Sequence, residues 1–134
     1  MSEKLCALRK IGGDTLKETV LWTNSAPTSS FDVQTVTLSQ SIEDFQYVAV
    51  YNRVSTSNTS ESYVMCTVDE FKNFTLTGTH TQMALGIRLN GDRSFARTVY
   101  YINTTQIRFG IAYEMMATSG NNAYVIPTKI VGLK

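Results

Sequence analysis

The stretch Phe45-Gln46-Tyr47-Val48-Ala49-Val50-Tyr51 decides the fold class, because its hydrophobic residues occupy both faces of a pattern with period two. The odd-numbered positions share one face, whereas Val48 and Val50 lie on the other. A strand that is apolar on both faces must be covered on both sides. The pattern therefore predicts a central strand of a sheet.

A hairpin is predicted downstream of this strand. Between residues 82 and 89 the apolar side chains, which are Met83, Leu85, Ile87 and Leu89, alternate with polar or small ones and indicate a half-buried strand. Asn90-Gly91 follows at once and supplies the two positive φ angles of a type I′ turn. We therefore expect residues 82–89 and 93–102 to pair.

Shorter alternating runs predict further strands near residues 64–68, 74–76, 106–113 and 123–133. In the third run one apolar face is expected to hold Ile107, Phe109, Ile111 and Tyr113. Pro127 favours an edge position or a bulge in the last strand. The isolated Gly86 and Gly110 indicate a bulge or a close backbone approach. One helical turn is plausible at Val68-Asp69-Glu70-Phe71.

Eight or nine short strands spaced by 8 to 14 residues predict an all-β fold, namely a single antiparallel β-sandwich that resembles a jelly roll. A chain of 134 residues fits one domain of this kind. Residues 1–17 are basic, with Lys4, Arg9, Lys10 and Lys17, and contain Gly12-Gly13. We expect residues 1–17 to form an N-terminal arm or edge strand and residues 18–134 to form the sandwich domain.

The composition argues against several classes of partner. Charged residues make up 17% of the chain and the net charge is +1, so no global field attracts nucleic acid or an anionic membrane. The N-terminus lacks the apolar core of a signal peptide, and no apolar stretch reaches the ~18 residues needed to span a bilayer. We expect synthesis in a cytoplasm, with Cys6 and Cys66 as free thiols.

Catalytic chemistry is weakly represented in the sequence. The single histidine, His80, lies in a polar turn without a nearby acid, and no second histidine completes a metal site. The carboxylates Glu43-Asp44 and Asp69-Glu70 would need to converge on one cleft to act as a glycosidase pair. No nucleophile elbow or phosphate-binding loop occurs. We expect a protein that is not an enzyme, without catalytic residues, metal or cofactor.

The best candidate binding residues are basic and aromatic. Arg88, Arg97, Tyr100 and Arg108 lie on three successive predicted strands, with Arg93, Phe95 and Tyr101 among them. Such a face can stack and hydrogen-bond sugars or nucleotides. Arginine stems also cover apolar area on ordinary sheet faces, and this second interpretation is the stronger one.

A second informative stretch is Leu21-Trp22-Thr23-Asn24-Ser25-Ala26-Pro27-Thr28-Ser29-Ser30-Phe31, which holds the only tryptophan. This stretch resembles modules in structural proteins of tailed bacteriophages, particularly those of Gram-positive hosts. The resemblance extends to three further stretches, which are Gln34-Thr35-Val36-Thr37-Leu38, residues 45–51 and the ending Ile126-Pro127-Thr128-Lys129-Ile130-Val131-Gly132-Leu133-Lys134. The resemblance covers about residues 18 to 134. We expect Trp22 to plug one end of the sandwich.

The resemblance implies a virion surface component that is assembled in the host cytoplasm. The expected role is a tail-fibre or baseplate appendage aiding host attachment; the alternatives are a capsid decoration or head-fibre protein and a carbohydrate-binding module. The implied partners are other virion proteins, further copies of the chain, with a trimer as first expectation, and host cell-wall polysaccharide. Neither nucleic acid nor membrane is expected as a partner. Attachment contacts are expected in loops such as residues 53–62 and 117–122.

Overall fold

A computed structural model describes residues 10–11, 14–77, 83–88, 93–115 and 119–134 of the chain. A 3₁₀ helix covers Ile42–Asp44, and a one-turn α-helix, α1, covers Val68–Phe71. The strands are β1 (Lys10–Ile11), β2 (Asp14–Thr15), β3 (Glu18–Thr23), β4 (Gln34–Thr37), β5 (Tyr47–Ser55), β6 (Glu61–Thr67), β7 (Met83–Arg88), β8 (Ser94–Asn103), β9 (Gln106–Glu114) and β10 (Tyr124–Leu133).

Two antiparallel sheets of four strands pack face to face. The first sheet has the order β3-β10-β5-β6 and the second has the order β4-β9-β8-β7, while β1 and β2 pair with each other. The main core lies between the sheets and draws buried side chains from both. The prediction of an all-β antiparallel sandwich is confirmed. As in a jelly roll, the chain crosses between sheets from β3 to β4 and to β5, but β5–β6 and β7–β8–β9 are simple meanders.

The predicted central strand is β5, which lies between β10 and β6. Val48 and Val50 contribute to the core between the sheets. Ala49 and Tyr51 belong to a second cluster, together with Val131 of β10. Because successive side chains of a strand point to opposite faces, this second cluster lies on the outer face of the first sheet. Both faces of β5 are therefore buried, as the sequence pattern predicted.

The helical turn at Val68–Phe71 forms where it was expected. The Thr67 hydroxyl caps it by accepting a hydrogen bond from the backbone N–H of Glu70 at 3.1 Å. The strand predicted around Phe74 and Leu76 is wrong. Phe74 instead donates its N–H to the carbonyl of Phe71 at 3.0 Å, and its ring is buried against the core. A turn that continues from α1 therefore replaces the extended backbone.

The last strand, β10, corrects one expectation about Pro127. The strand pairs with β3 on one side and β5 on the other, so it is an interior strand and not an edge strand. The alternative expectation, a bulge, is confirmed, since the register against β5 shifts between Pro127 and Lys129. An irregular register lets a residue without an N–H occupy the middle of a sheet.

A bulge in β9 reverses the predicted faces of that strand. Arg97 pairs with Ala112 and Val99 with Phe109, so two residues of β9, Gly110 and Ile111, lie opposite the single Thr98 of β8. Ala112 therefore points into the core. Ile111 and Tyr113 are exposed, although the alternation placed them with the buried Ile107 and Phe109.

The bulge also explains one of the two isolated glycines. A Cβ on Gly110 would overlap the hydroxyl of Thr98, so the close approach expected there is confirmed. A Cβ on Gly86 would meet only the carbonyl oxygen of Phe95, at 3.9 Å. Gly86 lies in a regular register opposite Ala96. Neither a bulge nor a close approach accounts for Gly86.

The predicted hairpin pairing is confirmed for β7 and β8, whose register runs from Met83 opposite Val99 to Arg88 opposite Ser94. The Asn90-Gly91 turn lies outside the described residues. At the N-terminus, Lys17 and Lys134 exchange two backbone hydrogen bonds, and Leu16 packs into the second cluster. The first sheet therefore extends to Leu16, while the arm at residues 1–9 lies outside the described part of the chain and stays a prediction.

Substitution of Gly132 tests the packing of β10. A Cβ at this position would lie 2.5 to 2.7 Å from three ring carbons of Phe45, so Gly132→Ala forces the ring or the strand to move. We expect it to lower the free energy of unfolding by about 1–3 kcal/mol in urea titrations. The control, Gly86→Ala, has room for the methyl group and should change stability by less than about 0.5 kcal/mol. Equal effects of the two substitutions would contradict this account.

Candidate functional site

The Trp22 turn is a structural element. The Trp22 ring packs at 6.0 Å from Phe31 and 5.7 Å from Phe109, measured between ring centroids. Asn24 donates from Nδ2 to the carbonyl of Pro127 at 2.8 Å, and its Oδ1 accepts the N–H of Ala26 at 2.8 Å. The turn is thereby fixed to the start of β10. A small cleft of about 270 Å³ opens beside it.

Three of the four predicted binding residues have described side chains, and these are divided between the two faces of the second sheet. Tyr100 and Arg108 lie directly opposite each other on β8 and β9. Arg88 pairs with Ser94; its side chain is outside the described part of the structure. Arg97 lies on the inner face.

The interpretation of Arg97 as a ligand-binding residue is therefore corrected. Its side chain is fully buried, and the guanidinium donates from Nε to the carbonyl of Val125 at 2.8 Å, from Nη1 to Gly110 at 2.7 Å and from Nη2 to Tyr124 at 3.2 Å. Burial lowers the pKa of Arg97 to about 10, partly offset by the charge of Asp32, so the group remains charged at neutral pH. A ligand at the surface cannot reach it.

Arg97 joins the two sheets instead. It extends from β8 in the second sheet to the backbone at the start of β10 in the first sheet. There Val125 has a φ of 50°, an unfavourable angle for a β-branched residue. The guanidinium lies 5.3 Å from the centroid of the Phe31 ring, so it also contacts the aromatic group that includes Trp22.

The outer face of the second sheet is the candidate binding surface. Tyr113 is 36% exposed and Ile111 47% exposed along β9, and Met115 continues this apolar edge. The facing positions of β7 and β8 are small, namely Ala84, Gly86, Ala96 and Thr98. Arg108 makes one long contact of 3.4 Å to the Thr35 hydroxyl. The surface combines apolar, aromatic and cationic groups, so it can contact a protein surface or a sugar ring.

Another cleft lies between the 3₁₀ helix and α1. It has a volume of about 500 Å³ and is lined by Glu43, Phe45, Gln46, Tyr47, Thr67, Val68, Asp69 and Lys72. One acid from each sequence pair, Glu43 and Asp69, thus lines the same cleft, a convergence that sequence spacing could not reveal. Glu43 forms an ion pair with Lys72, and this hydrogen bond raises the pKa of the Lys72 ammonium. One of the two acids is therefore paired with a cation.

Metal and thiol chemistry find little support in the part of the chain that the structure describes. No group of three or more potential metal-ligating side chains occurs among those residues. Cys66 is half-buried, and burial raises the pKa of its thiol to about 11, with a smaller contribution from the charge of Glu70. The thiol is therefore protonated at neutral pH. Cys6 and His80 lie outside the described residues.

Comparison with known proteins adds no assignment. No family model matches the chain. No curated protein matches it either. Among the described helices, none has the length and apolarity needed to cross a membrane.

Removal of Arg97 distinguishes its structural role from a binding role. Arg97→Met leaves one buried and two part-buried backbone carbonyls without their charged donor, and we expect the free energy of unfolding to fall by about 3 kcal/mol or more. Arg108→Met, the control on the exposed face, loses one long hydrogen bond and should cost less than about 1 kcal/mol. Chemical denaturation measures both. A tolerated Arg97→Met would contradict the proposed link between the sheets.

The reactivity of Cys66 tests its burial. In the variant Cys6→Ser, Cys66 is the remaining cysteine, and a pKa near 11 reduces its thiolate fraction at pH 8 about 100-fold relative to an ordinary thiol. We expect iodoacetamide to modify the folded protein at least about 100-fold more slowly than it modifies a cysteine peptide. About 6 M guanidinium chloride unfolds most domains. In this solvent the same variant should react at the rate of the cysteine peptide. Equal rates in both states would refute the shift.

Proposed function

We propose that this chain is a non-enzymatic structural component of a tailed-bacteriophage virion, exposed on the particle as a tail-fibre or baseplate appendage that aids host attachment. The observation that best supports this proposal is that two of the four stretches carrying the resemblance, residues 21–31 and 126–134, are joined in space. Trp22 of β3 lies opposite Ile130 of β10, and Asn24 bonds the carbonyl of Pro127. They form one structural unit, so the resemblance concerns a shared scaffold.

The outer face of the second sheet supplies a surface for attachment. Tyr100 and Arg108 are adjacent on this face, and the exposed Ile111 and Tyr113 lie further along β9. Aromatic faces pack on the C–H groups of sugars, and arginine donates hydrogen bonds to hydroxyl oxygens. This pair favours cell-wall polysaccharide as the attachment ligand and makes a carbohydrate-binding module the second candidate function.

The N-terminal arm provides the connection to the particle. Because β1 and β2 pair with each other, nine residues precede this hairpin in the given sequence, and a segment of nine residues spans roughly 30 Å when extended, which is enough to reach a neighbouring subunit. In this proposal residues 1–15 bind other virion proteins or further copies of the chain. Leu16 and Lys17 belong to the sandwich, because Leu16 packs into the second cluster and Lys17 pairs with Lys134.

Gold-labelled antibodies raised against the purified chain should decorate the tail tip or baseplate of intact particles in electron micrographs. Labels on the capsid would replace the proposal by the decoration alternative, and particles without label would contradict both.

Deletion of residues 1–15 retains Leu16 and Lys17, so we expect a folded domain that no longer joins particles. The full-length chain supplied in trans is the control, and incorporation of the truncated chain would refute the anchoring role.

A further inference from the structure

The first sheet has two ends, and the N-terminus of the sandwich lies at one of them. At this end, where β5 begins, Lys17 and Lys134 exchange two backbone hydrogen bonds. At the other end Ser55, the last residue of β5, pairs with Tyr124 of β10. Because β5 has nine residues, about 30 Å separate the two ends. In the proposed attachment through the N-terminal arm, the Ser55 end faces away from the particle.

Two loops meet at the Ser55 end. Residues 56–60 connect β5 to β6, and residues 119–123 lead into β10. The backbone N–H of Thr56 donates to the carbonyl of Ala123 at 3.0 Å, so the two loops are joined directly. Both belong to the ranges that the sequence predicted as contact loops. We call the surface formed by residues 56–60 and 119–123 the loop end.

Each of these loops is held by a buried arginine. Arg53 is 9% exposed, and its guanidinium donates to the carbonyls of Ser55, Thr56 and Asn58 at 2.9, 3.3 and 3.3 Å. Arg97 binds two carbonyls at the start of β10, directly after the second loop. Burying a cation is costly unless hydrogen bonds replace its hydration. Both guanidinium groups therefore fix the backbone of a surface loop.

The backbone beside the second loop is also strained. Val125 has a φ of 50°, and a β-branched residue adopts this angle only where the surrounding contacts impose it. Strained backbone of this kind is concentrated at functional sites. A surface whose loops are already fixed loses little conformational entropy when it binds a ligand. The loop end is therefore organised before any ligand arrives.

The groups that the loop end exposes carry no charge. Neither loop contains Lys, Arg, Asp or Glu, although charged residues make up 17% of the chain. None of the exposed large apolar side chains in the described structure belongs to these loops. The exposed polar residues are Ser57, Asn58, Thr59, Ser60, Ser119 and Asn121. A polyanion finds no cation here, and a protein partner finds no apolar centre. Hydroxyls and amides match the hydroxyls of a neutral sugar, because both kinds of group donate and accept hydrogen bonds.

Two exposed asparagines support the loops and keep a donor available. The Oδ1 atom of Asn58 accepts the N–H of Ser60 at 3.0 Å, and Oδ1 of Asn121 accepts the N–H of Ala123 at 3.1 Å. These Asx turns fix both side chains. Each retains an Nδ2 amide, which can donate two hydrogen bonds to a ligand.

We infer that the loop end is the surface that contacts a neutral wall polysaccharide, with Nδ2 of Asn58 and Asn121 donating hydrogen bonds to sugar hydroxyls. This inference rests on the proposed attachment function, because it names the ligand class and the part of the chain that meets it. Its test uses free sugars and no particles. A negative result therefore leaves the virion assignment standing.

Titration of the ¹⁵N-labelled full chain with D-glucose, D-galactose and N-acetyl-D-glucosamine tests the surface directly. At least one of these sugars should shift the backbone amide resonances of residues 56–60 and 119–123 in a saturable way. The resonances of Tyr100 and Arg108 on the outer face of the second sheet should stay unchanged. D-glucuronate, the charged comparison, should bind no more tightly than D-glucose, because the loop end offers it no cation.

Asn58→Asp and Asn121→Asp remove the Nδ2 donors and keep the Oδ1 acceptors that support the loops. Each should weaken sugar binding at least about fivefold, which corresponds to the loss of one hydrogen bond. Thr59→Val removes an exposed hydroxyl and is a second variant with the same expected direction should an aspartate variant disturb folding.

The matched control is Asn103→Asp in the turn between β8 and β9. Oδ1 of Asn103 accepts the N–H of Thr105 at 3.0 Å, so the control keeps the same kind of turn and adds the same charge outside the loop end. It should leave the affinity unchanged. An equal loss in Asn103→Asp and Asn58→Asp would overturn the inference.

The titration itself gives three further outcomes against the inference. It is overturned if none of the three neutral sugars moves the resonances of either loop, and also if D-glucuronate binds more tightly than all of them. It is equally overturned if the shifts occur at Tyr100 and Arg108 alone. In that last case the sugar binds the outer face of the second sheet, and the proposed attachment function stands without the loop end.

Discussion

The buried guanidinium of Arg97 is the constraint on which the rest of the sandwich depends. It carries charge into the core without a salt bridge to any described residue, and three backbone carbonyls compensate it together with the more distant charge of Asp32. Those carbonyls belong to two irregular places, the bulge of β9 at Gly110 and the start of β10 at Tyr124 and Val125. Desolvating a cation is costly unless hydrogen bonds replace its hydration. Both irregular segments are therefore held in the one arrangement that satisfies the guanidinium.

The same bulge determines which residues the second sheet presents to solvent. Because Gly110 and Ile111 share one place opposite Thr98, the side chains beyond them change face. Ala112 enters the core, and its carbonyl accepts a hydrogen bond from the backbone N–H of Asn121 in the segment 119–122. Ile111 and Tyr113 turn outward and are exposed. The apolar part of the candidate surface is thus a consequence of how the core accommodates Arg97.

The sequence predicted the regular elements well and the irregular ones poorly. Period-two patterns identified β5 and β7, because in those strands each face has a single environment, and the Asn90-Gly91 signal identified β8 as the partner of β7. The inward direction of Arg97 was also readable, since Phe95 and Val99 share its face, but arginine's preference for the surface argued the other way. The face change in β9 was not readable, because an isolated glycine indicates that a bulge is possible without fixing its register. Glu43 and Asp69 line one cleft only because segments distant in sequence pack together, so the sequence could not predict it.

The position of the Trp22 contacts in the fold explains why the resemblance is silent about ligands. Trp22, Asn24 and Pro127 lie at the β3 side of the first sheet, where they fix the edge strand to β10. The strands β6 and β7 lie at the opposite edge of the two sheets. Substitutions of the exposed Ser60 or Ser62 there leave the Trp22 contacts unchanged. A resemblance that includes the Trp22 turn therefore reflects packing between β3 and β10, and it carries no information about the groups that the far edge presents to a ligand.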